Sequence, residues 1–312
     1  MNEIIKVNNL NKSFKSNQAV KNVSFDVRKG EVLCILGPNG AGKSTTINML
    51  ATAMQGDGGD ILWEGAAIGH NTKAYKSTLG IVPQDLALYE ELSAERNIAF
   101  FASLYGLKGD VLKSAVDDAL EFAGLTERRA DKVKTFSGGM KRRLNIACAI
   151  AHKPSVIIMD EPTVGIDPQS RNHILSSIRE LRTQGATVIY TTHYMEEVEE
   201  ISTRIIIMDH GQIIAEGTKE ELKERLADEK LYRMEVERTD ALDSKKLYRI
   251  EGVKEAGLSD NCLKVSVLKG IENLDKIIAL LIVSGVKINN ITSDSASLEM
   301  VFLKLTGRTL RD

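Results

Sequence analysis

The chain has 312 residues, 41 of them basic and 43 acidic, for a formal net charge of −2. That length admits one large domain, or one with a smaller companion. The balanced charge leaves no global field to draw nucleic acid or an anionic membrane surface. Cys34, Cys148 and Cys262 are scattered without metal-ligand spacing and read as small buried side chains in a reducing compartment. No signal-peptide pattern opens the chain, and apolar runs such as 277–283 fall far short of the roughly 20 residues that span a bilayer. A soluble, cytoplasmic protein is predicted.

In chain order, residues 4–14, 19–27 and 31–36 read as extended, with a turn at 28–30. Gly37-Pro38-Asn39-Gly40-Ala41-Gly42-Lys43-Ser44 follows and leads, through Thr45, into a helix to about Ala51. Short strands are predicted at 61–63 and 80–84, the second ending at Gln84. From about Ser93 to His152 the pattern is helical, in segments 93–105, 109–124 and 138–152. Leu144, Ala147, Cys148 and Ala151 mark one inward face at i, i+3, i+4, i+7. Strands at 156–159, 186–191 and 204–208 then alternate with helices opened by Asp167-Pro168 and by Tyr194, the signature of a largely parallel, doubly covered sheet. A charged helix near 218–226 closes this unit. The remainder reads as strand 231–237, helix near 241–249, strands 252–258 and 261–268, helix 271–285, strand 287–293 and a final helix 297–306. Its first six elements give β-α-β-β-α-β, a ferredoxin-like arrangement.

The chemistry concentrates at strand ends. Residues 37–44 match G-x-x-x-x-G-K-[ST], a loop whose glycines let backbone N–H groups wrap phosphate. In that chemistry Lys43 reaches the β- and γ-phosphates and Ser44 ligates Mg²⁺. The apolar strand 156–159 ends in Asp160 and Glu161, one suited to holding Mg²⁺ and the other to deprotonating an attacking water. Ser137-Gly138-Gly139-Met140 starts a helix; it is an N-cap with a turn, and equally a second anion site. Two such helix starts meet one ATP only if two chains face each other. His193, after Thr191-Thr192, is a third polar group at the carboxyl edge of the sheet. Phe14, near the end of the first strand, is either a core residue or a stacking face for an adenine ring.

In this order the motifs resemble those of the ATP-binding cassette subunit of ABC transporters, over about residues 4–222. Residues 37–45 resemble the Walker A loop, Gln84 the Q-loop, 136–140 the signature, 156–161 the Walker B strand, 164–167 the D-loop and His193 the switch histidine. The resemblance implies an α/β P-loop NTPase cassette with an N-terminal antiparallel β subdomain and a helical insert at about 90–152. The cassette would span 1–228, and 229–312 would be a small α+β C-terminal domain. It implies that Phe14 stacks on adenine and that Gln84 senses Mg²⁺ and a membrane partner. Ser137, Gly138, Gly139 and Met140 would meet the ATP of the opposite subunit, His193 would steady its phosphate, and Asp167 would link the two sites. ATP and Mg²⁺ are the implied cofactors. A second cassette and a separately encoded permease are the implied partners, at the cytoplasmic face of the membrane, and no nucleic acid is expected. The tail 297–308, with 92–98 and 101–107, is similar to bacterial drug- and antibiotic-resistance ATPases of the daunorubicin-export and sodium-export type, which points to export. A nucleic-acid or ribosome-associated ABC protein would carry a long coiled coil or a second cassette, and neither pattern is present. A small-molecule kinase would leave Ser137-Gly138-Gly139 unexplained.

Overall fold

The computed structural model describes residues 3–224, 229–237, 242, 244–294 and 297–306. Strands β1 (Glu3–Phe14) and β2 (Asn17–Arg28) form an antiparallel hairpin, which β4 (Gly58–Trp63) and β5 (Ala66–Ala67) extend into a sheet of order β2-β1-β4-β5. The central sheet contains β3 (Val32–Leu36), β6 (Leu79–Val82), β7 (Val156–Asp160), β8 (Thr187–Thr192), β9 (Arg204–Asp209) and β10 (Gln212–Gly217). Its order is β10-β9-β3-β8-β7-β6, parallel throughout except for β10 against β9.

Alternation along these strands divides the core. Leu33, Ile35, Ile158 and Ile189 point toward the β1–β2 sheet, α1 (Lys43–Leu50) and α2 (Thr72–Ser77). Val32, Cys34, Leu36, Ile157, Met159 and Val188 point to the opposite layer, which holds α5 (Gly138–Ile150), α6 (Pro168–Thr183) and α7 (Met195–Ile201). Because both faces are covered, β3, β7, β8 and β9 are buried along their whole length, with uninterrupted apolar runs at 32–36, 156–159, 188–190 and 205–208 rather than polar–apolar alternation. The helical insert is α3 (Ala94–Leu104), α4 (Gly109–Phe122) and α5, closed around their own core. Leu144, Ala147, Cys148 and Ala151 are all buried there, as the periodicity predicts.

Beyond α8 (Lys219–Glu224) come β11 (Glu229–Glu237), a 3₁₀ helix at Ser244–Arg249, β12 (Val253–Ser259), β13 (Cys262–Leu268), α9 (Leu274–Val283), β14 (Lys287–Asp294) and α10 (Leu298–Thr306). The four strands make an antiparallel sheet of order β12-β13-β11-β14 with its own core. Where a helix is expected near 241–249, the described part is the 3₁₀ helix. Leu226, Ser295, Ala296, Gly307 and Arg308, which enter the sequence expectations, lie outside the described residues.

The hydrophobic core does not respect a boundary at 228/229. Leu298, Met300, Val301, Phe302 and Leu303 of α10, and Leu231 of β11, join the cassette core beside Leu222 and Val198. Strand β10 has no counterpart among the sequence expectations. It closes a hairpin with β9 through His210 and Gly211, at φ of 46° and 80°, the two positive angles of a type I′ turn.

Candidate active site

Parallel pairing brings three strand ends together. Leu36 of β3 lies opposite Thr192 of β8, and Thr191 lies opposite Asp160 of β7. The residues that follow these positions therefore converge on one edge, where ligands bind in open α/β sheets.

The loop between β3 and α1 is glycine-rich for steric reasons. A Cβ on Gly37 would lie 2.3 Å from the Met208 carbonyl oxygen, and one on Gly42 would lie 2.4 Å from that of Ala19. Gly42 also has φ of 100°, which a side chain resists. The curled backbone aims the start of α1, with its unpaired N–H groups, along the sheet edge.

Lys43, 4% exposed, donates from Nζ to the carbonyl oxygens of Gly37 (2.8 Å) and Pro38 (3.0 Å) and lies 3.1 Å from Glu161 Oε1. Ser44 Oγ donates to Asp160 Oδ1 at 3.1 Å, and Thr191 Oγ1 donates to the same oxygen at 2.6 Å. Glu161 has φ of 44°, uncommon for a side-chain-bearing residue. That conformation is held by its N–H, which donates to Thr191 Oγ1 (3.0 Å) and the Thr191 carbonyl (3.2 Å). His193 Nδ1 stands 3.3 Å from Glu161 Oε2, in ion-pair range without hydrogen-bond alignment. The His193 imidazole, and then the Lys43 ammonium, hold the Glu161 carboxyl down at about 2 against the opposing effect of burial.

The oxygens of Ser44 and Asp160 suit a hard cation that completes its shell with water and phosphate oxygens. Among the described residues no cluster of three His, Cys, Asp or Glu side chains could hold a metal alone. The same edge has amides and an ammonium for a polyphosphate, so its residues fit a nucleotide with Mg²⁺.

Other expected positions lie apart from this group. Phe14 is 45% exposed with Lys12 Nζ 5.7 Å from its ring centroid, so it is not a core residue. Gln84 follows the edge strand β6 and is exposed; among the described residues no hydrogen bond or ion pair joins its side chain to Ser44 or Asp160. Its backbone carbonyl accepts from Arg142 Nη2 at 2.7 Å. Ser137 caps α5 by accepting from Met140 N–H at 3.3 Å, and Ser137 and Gly138 are exposed. No hydrogen bond or ion pair ties residues 137–140 to the phosphate loop among the described residues. Gly139 packs against the N-terminus of α6, where Asp167 caps by accepting from Ser170 N–H at 2.9 Å.

Sequence reading missed Glu197, which looks like one more charge in Met195-Glu196-Glu197-Val198-Glu199-Glu200. It is fully buried and tied to Thr163, Arg171, Tyr190 and Thr192. The available signal was its place on the inward face that Val198 and Ile201 define.

The family model for ABC transporters matches residues 20–164. The chain is 42% identical over 313 residues to the linearmycin resistance ATP-binding protein LnrL of Bacillus subtilis, covering 99% of this chain and 100% of that protein. It is 33% identical over 309 residues to the daunorubicin/doxorubicin resistance ATP-binding protein DrrA of Streptomyces peucetius, covering 99% and 94%. Among solved structures, the ATP-binding cassette MJ0796, a dimer in a post-hydrolysis state with ADP and Pi, superposes with a TM-score of 0.63 at 28% identity, covering 69% of this chain and 98% of that one. The chain belongs to the ABC transporter family, as one of its ATP-binding ATPase subunits.

Proposed function

We propose that this chain is the motor of an exporter: it closes head-to-tail on a second cassette around ATP and Mg²⁺ and drives a separately encoded permease. The observation that carries this reading is the single sheet edge where Lys43, Ser44, Asp160, Glu161 and His193 stand in contacts of 3.3 Å or less. Export of a drug, antibiotic or other small molecule is inferred from the resistance relatives. Among the described residues no helix is long and apolar enough to cross a membrane, which fits a subunit docked on a permease at the cytoplasmic face.

In this mechanism residues 37–45 bind the phosphates through backbone N–H groups, with Lys43 as the counter-charge. Ser44 and Asp160 would hold Mg²⁺, joined by Gln84 once the subunits close; bound there, the ion neutralises charge on the phosphate oxygens. Glu161 takes the proton of the attacking water, and His193 orients the reacting phosphate. With His193 and then Lys43 beside it Glu161 is a weak base, and movement of the ammonium toward phosphate removes part of that effect. Phe14 offers its exposed face to adenine. Ser137, Gly138, Gly139 and Met140 meet the partner's nucleotide, and Asp167 connects the two sites. Residues 229–294 form an accessory unit that supplies no catalytic group.

The test is Glu161→Gln, which keeps size but removes the proton acceptor. Hydrolysis should fall by about 10²–10⁴-fold, with ATP affinity retained and an ATP-dependent dimer accumulating in light scattering. Near-normal turnover would dismiss Glu161 as the base. The transport half predicts that the tagged chain recovers a polytopic membrane protein from detergent-solubilised native membranes. Recovery of the chain from the soluble fraction alone would refute it.

A further inference from the structure

The geometry points to Glu197 as a positioning residue for hydrolysis, one carboxylate that fixes the His193 loop against the Glu161 loop. This rests on the reading that Glu161 and His193 carry the reaction. Glu197 lies on α7, four residues beyond His193, and is 0% exposed. Removing a carboxylate from water is costly unless each lone pair finds a partner. An ionised carboxylate has about four acceptor sites, and this one has four partners. Oε1 accepts from Thr163 Oγ1 at 2.6 Å and pairs with Arg171 Nε at 2.8 Å. Oε2 accepts from Tyr190 OH at 2.8 Å and from Thr192 Oγ1 at 2.7 Å.

The origin of these partners gives the carboxylate its role. Thr163 is two residues beyond Glu161, and Thr192 is the residue before His193. Thr192 Oγ1 also accepts from the Tyr194 N–H at 2.9 Å, so both chain neighbours of His193 are tied to the same hydroxyl. The Tyr194 ring centroid lies 4.2 Å from that of His193, and the Arg171 guanidinium lies 4.9 Å from the Tyr194 centroid. Arg171 therefore supports the imidazole through Tyr194 while it neutralises Glu197. Burial, with the Glu197 charge beside it, pushes the Tyr190 phenol well up, so Tyr190 remains a donor. Arg171 sits in the first turn of α6, one residue past Ser170, against which Gly139 packs. The signature helix and the His193 loop thus meet at this carboxylate through α6.

A purely structural staple would also bury Glu197, so the experiment must separate position from stability. Glu197→Gln retains the size, but its amide nitrogen cannot accept from the hydroxyls, and Arg171 loses its nearer, buried counter-charge and keeps only the exposed Glu196 at 3.7 Å. Thr192→Val removes one hydroxyl at constant shape, and Thr192→Ser restores it. With the full-length chain, kcat and KM for ATP, affinity for a fluorescent ATP analogue and Tm would be measured for each, with His193→Ala as the control. Glu197→Gln and Thr192→Val should lower kcat by about 10- to 100-fold, the scale of a small misplacement of reacting groups. KM and nucleotide affinity should stay within about twofold, and Thr192→Ser should recover kcat. Where Glu197→Gln fails to fold, the Thr192 pair decides. Wild-type kcat in Thr192→Val overturns the proposal. So does a loss of kcat, affinity and Tm together that Thr192→Ser shares. His193→Ala at the wild-type rate would instead sink the underlying reading of the site, an outcome distinct from failure of the Glu197 variants alone.

Discussion

At the scale of single residues, the decisive feature is a carboxylate held between an imidazole and an ammonium. Glu161 has its pKa lowered from the ordinary 4.5 to about 2 by His193 and Lys43. A group with a depressed folded pKa contributes stability that is fully present above its unfolded value and is lost as pH falls through the folded one. The window here runs from about pH 4.5 down to about pH 2. Urea unfolding of wild type and Glu161→Gln should show a stability gap that is widest above pH 5 and has narrowed by of order 1 kcal/mol at pH 3.5. An unchanged gap would mean that the ion pairs of Glu161 contribute nothing to the fold. The members of this cluster were legible because each follows an apolar strand and the types suit phosphate chemistry. Their supports were not. Thr191, which holds both Asp160 and the Glu161 backbone, has nothing in sequence to set it apart from any other strand threonine.

At the scale of elements, the contact between α5 and α6 turns on a glycine whose partner residue types alone do not reveal. Gly138 and Gly139 look equivalent in sequence, yet they stand in different surroundings. A Cβ on Gly138 meets nothing within 4 Å, whereas one on Gly139 would lie 2.0 Å from Ser170 Oγ, 2.6 Å from Ser170 Cβ and 2.9 Å from Asp167 Oδ2. Relief would require the two helix starts to separate, because the Ser170 Cβ moves only with its backbone. Gly139→Ala should therefore destabilise by about 1–3 kcal/mol. Gly138→Ala, which stiffens an open first turn, should be neutral or stabilising by about 0.4–1 kcal/mol. Denaturant midpoints would check this, and equal effects of the two would dismiss the packing account. Helices announce themselves through periodicity, and the face of α5 was readable for that reason. Strand β10 was not, because the apolar run of Gln212-Ile213-Ile214-Ala215-Glu216-Gly217 stops after three residues, and its best signal is the His210-Gly211 turn before it.

At the scale of the whole molecule, the C-terminal unit is bracketed by the cassette, a relation that element order alone could not show. Chain order places 229–306 after the ATPase as an appendix. The core places α10 back inside it, with Leu298, Met300, Val301, Phe302 and Leu303 each 2% exposed or less. At about 1.5–3 kcal/mol for each buried apolar side chain, losing these five would cost on the order of 10 kcal/mol as an upper estimate. That is comparable with the roughly 5–15 kcal/mol that holds a typical domain together. A chain ending at residue 227 should therefore be insoluble, or melt far below the full chain, although it keeps residues 37–45, 160, 161 and 193. The same sheet suggests a gentler cut. Leu231 at the start of β11 is paired with Asp294 at the end of β14, so entry to and exit from the unit lie about 5 Å apart. A flexible linker of about four residues spans that gap easily. Replacing 232–293 with such a linker leaves Leu231 and α10 in place and should preserve both the fold and the affinity for ATP. Thermal melts and binding of a fluorescent ATP analogue would compare the two deletions. If the excised chain failed as completely as the truncated one, the sheet of β11–β14 would be part of the cassette's stability. If the truncated chain matched the full one in Tm and affinity, α10 would be dispensable and its burial in the core without consequence.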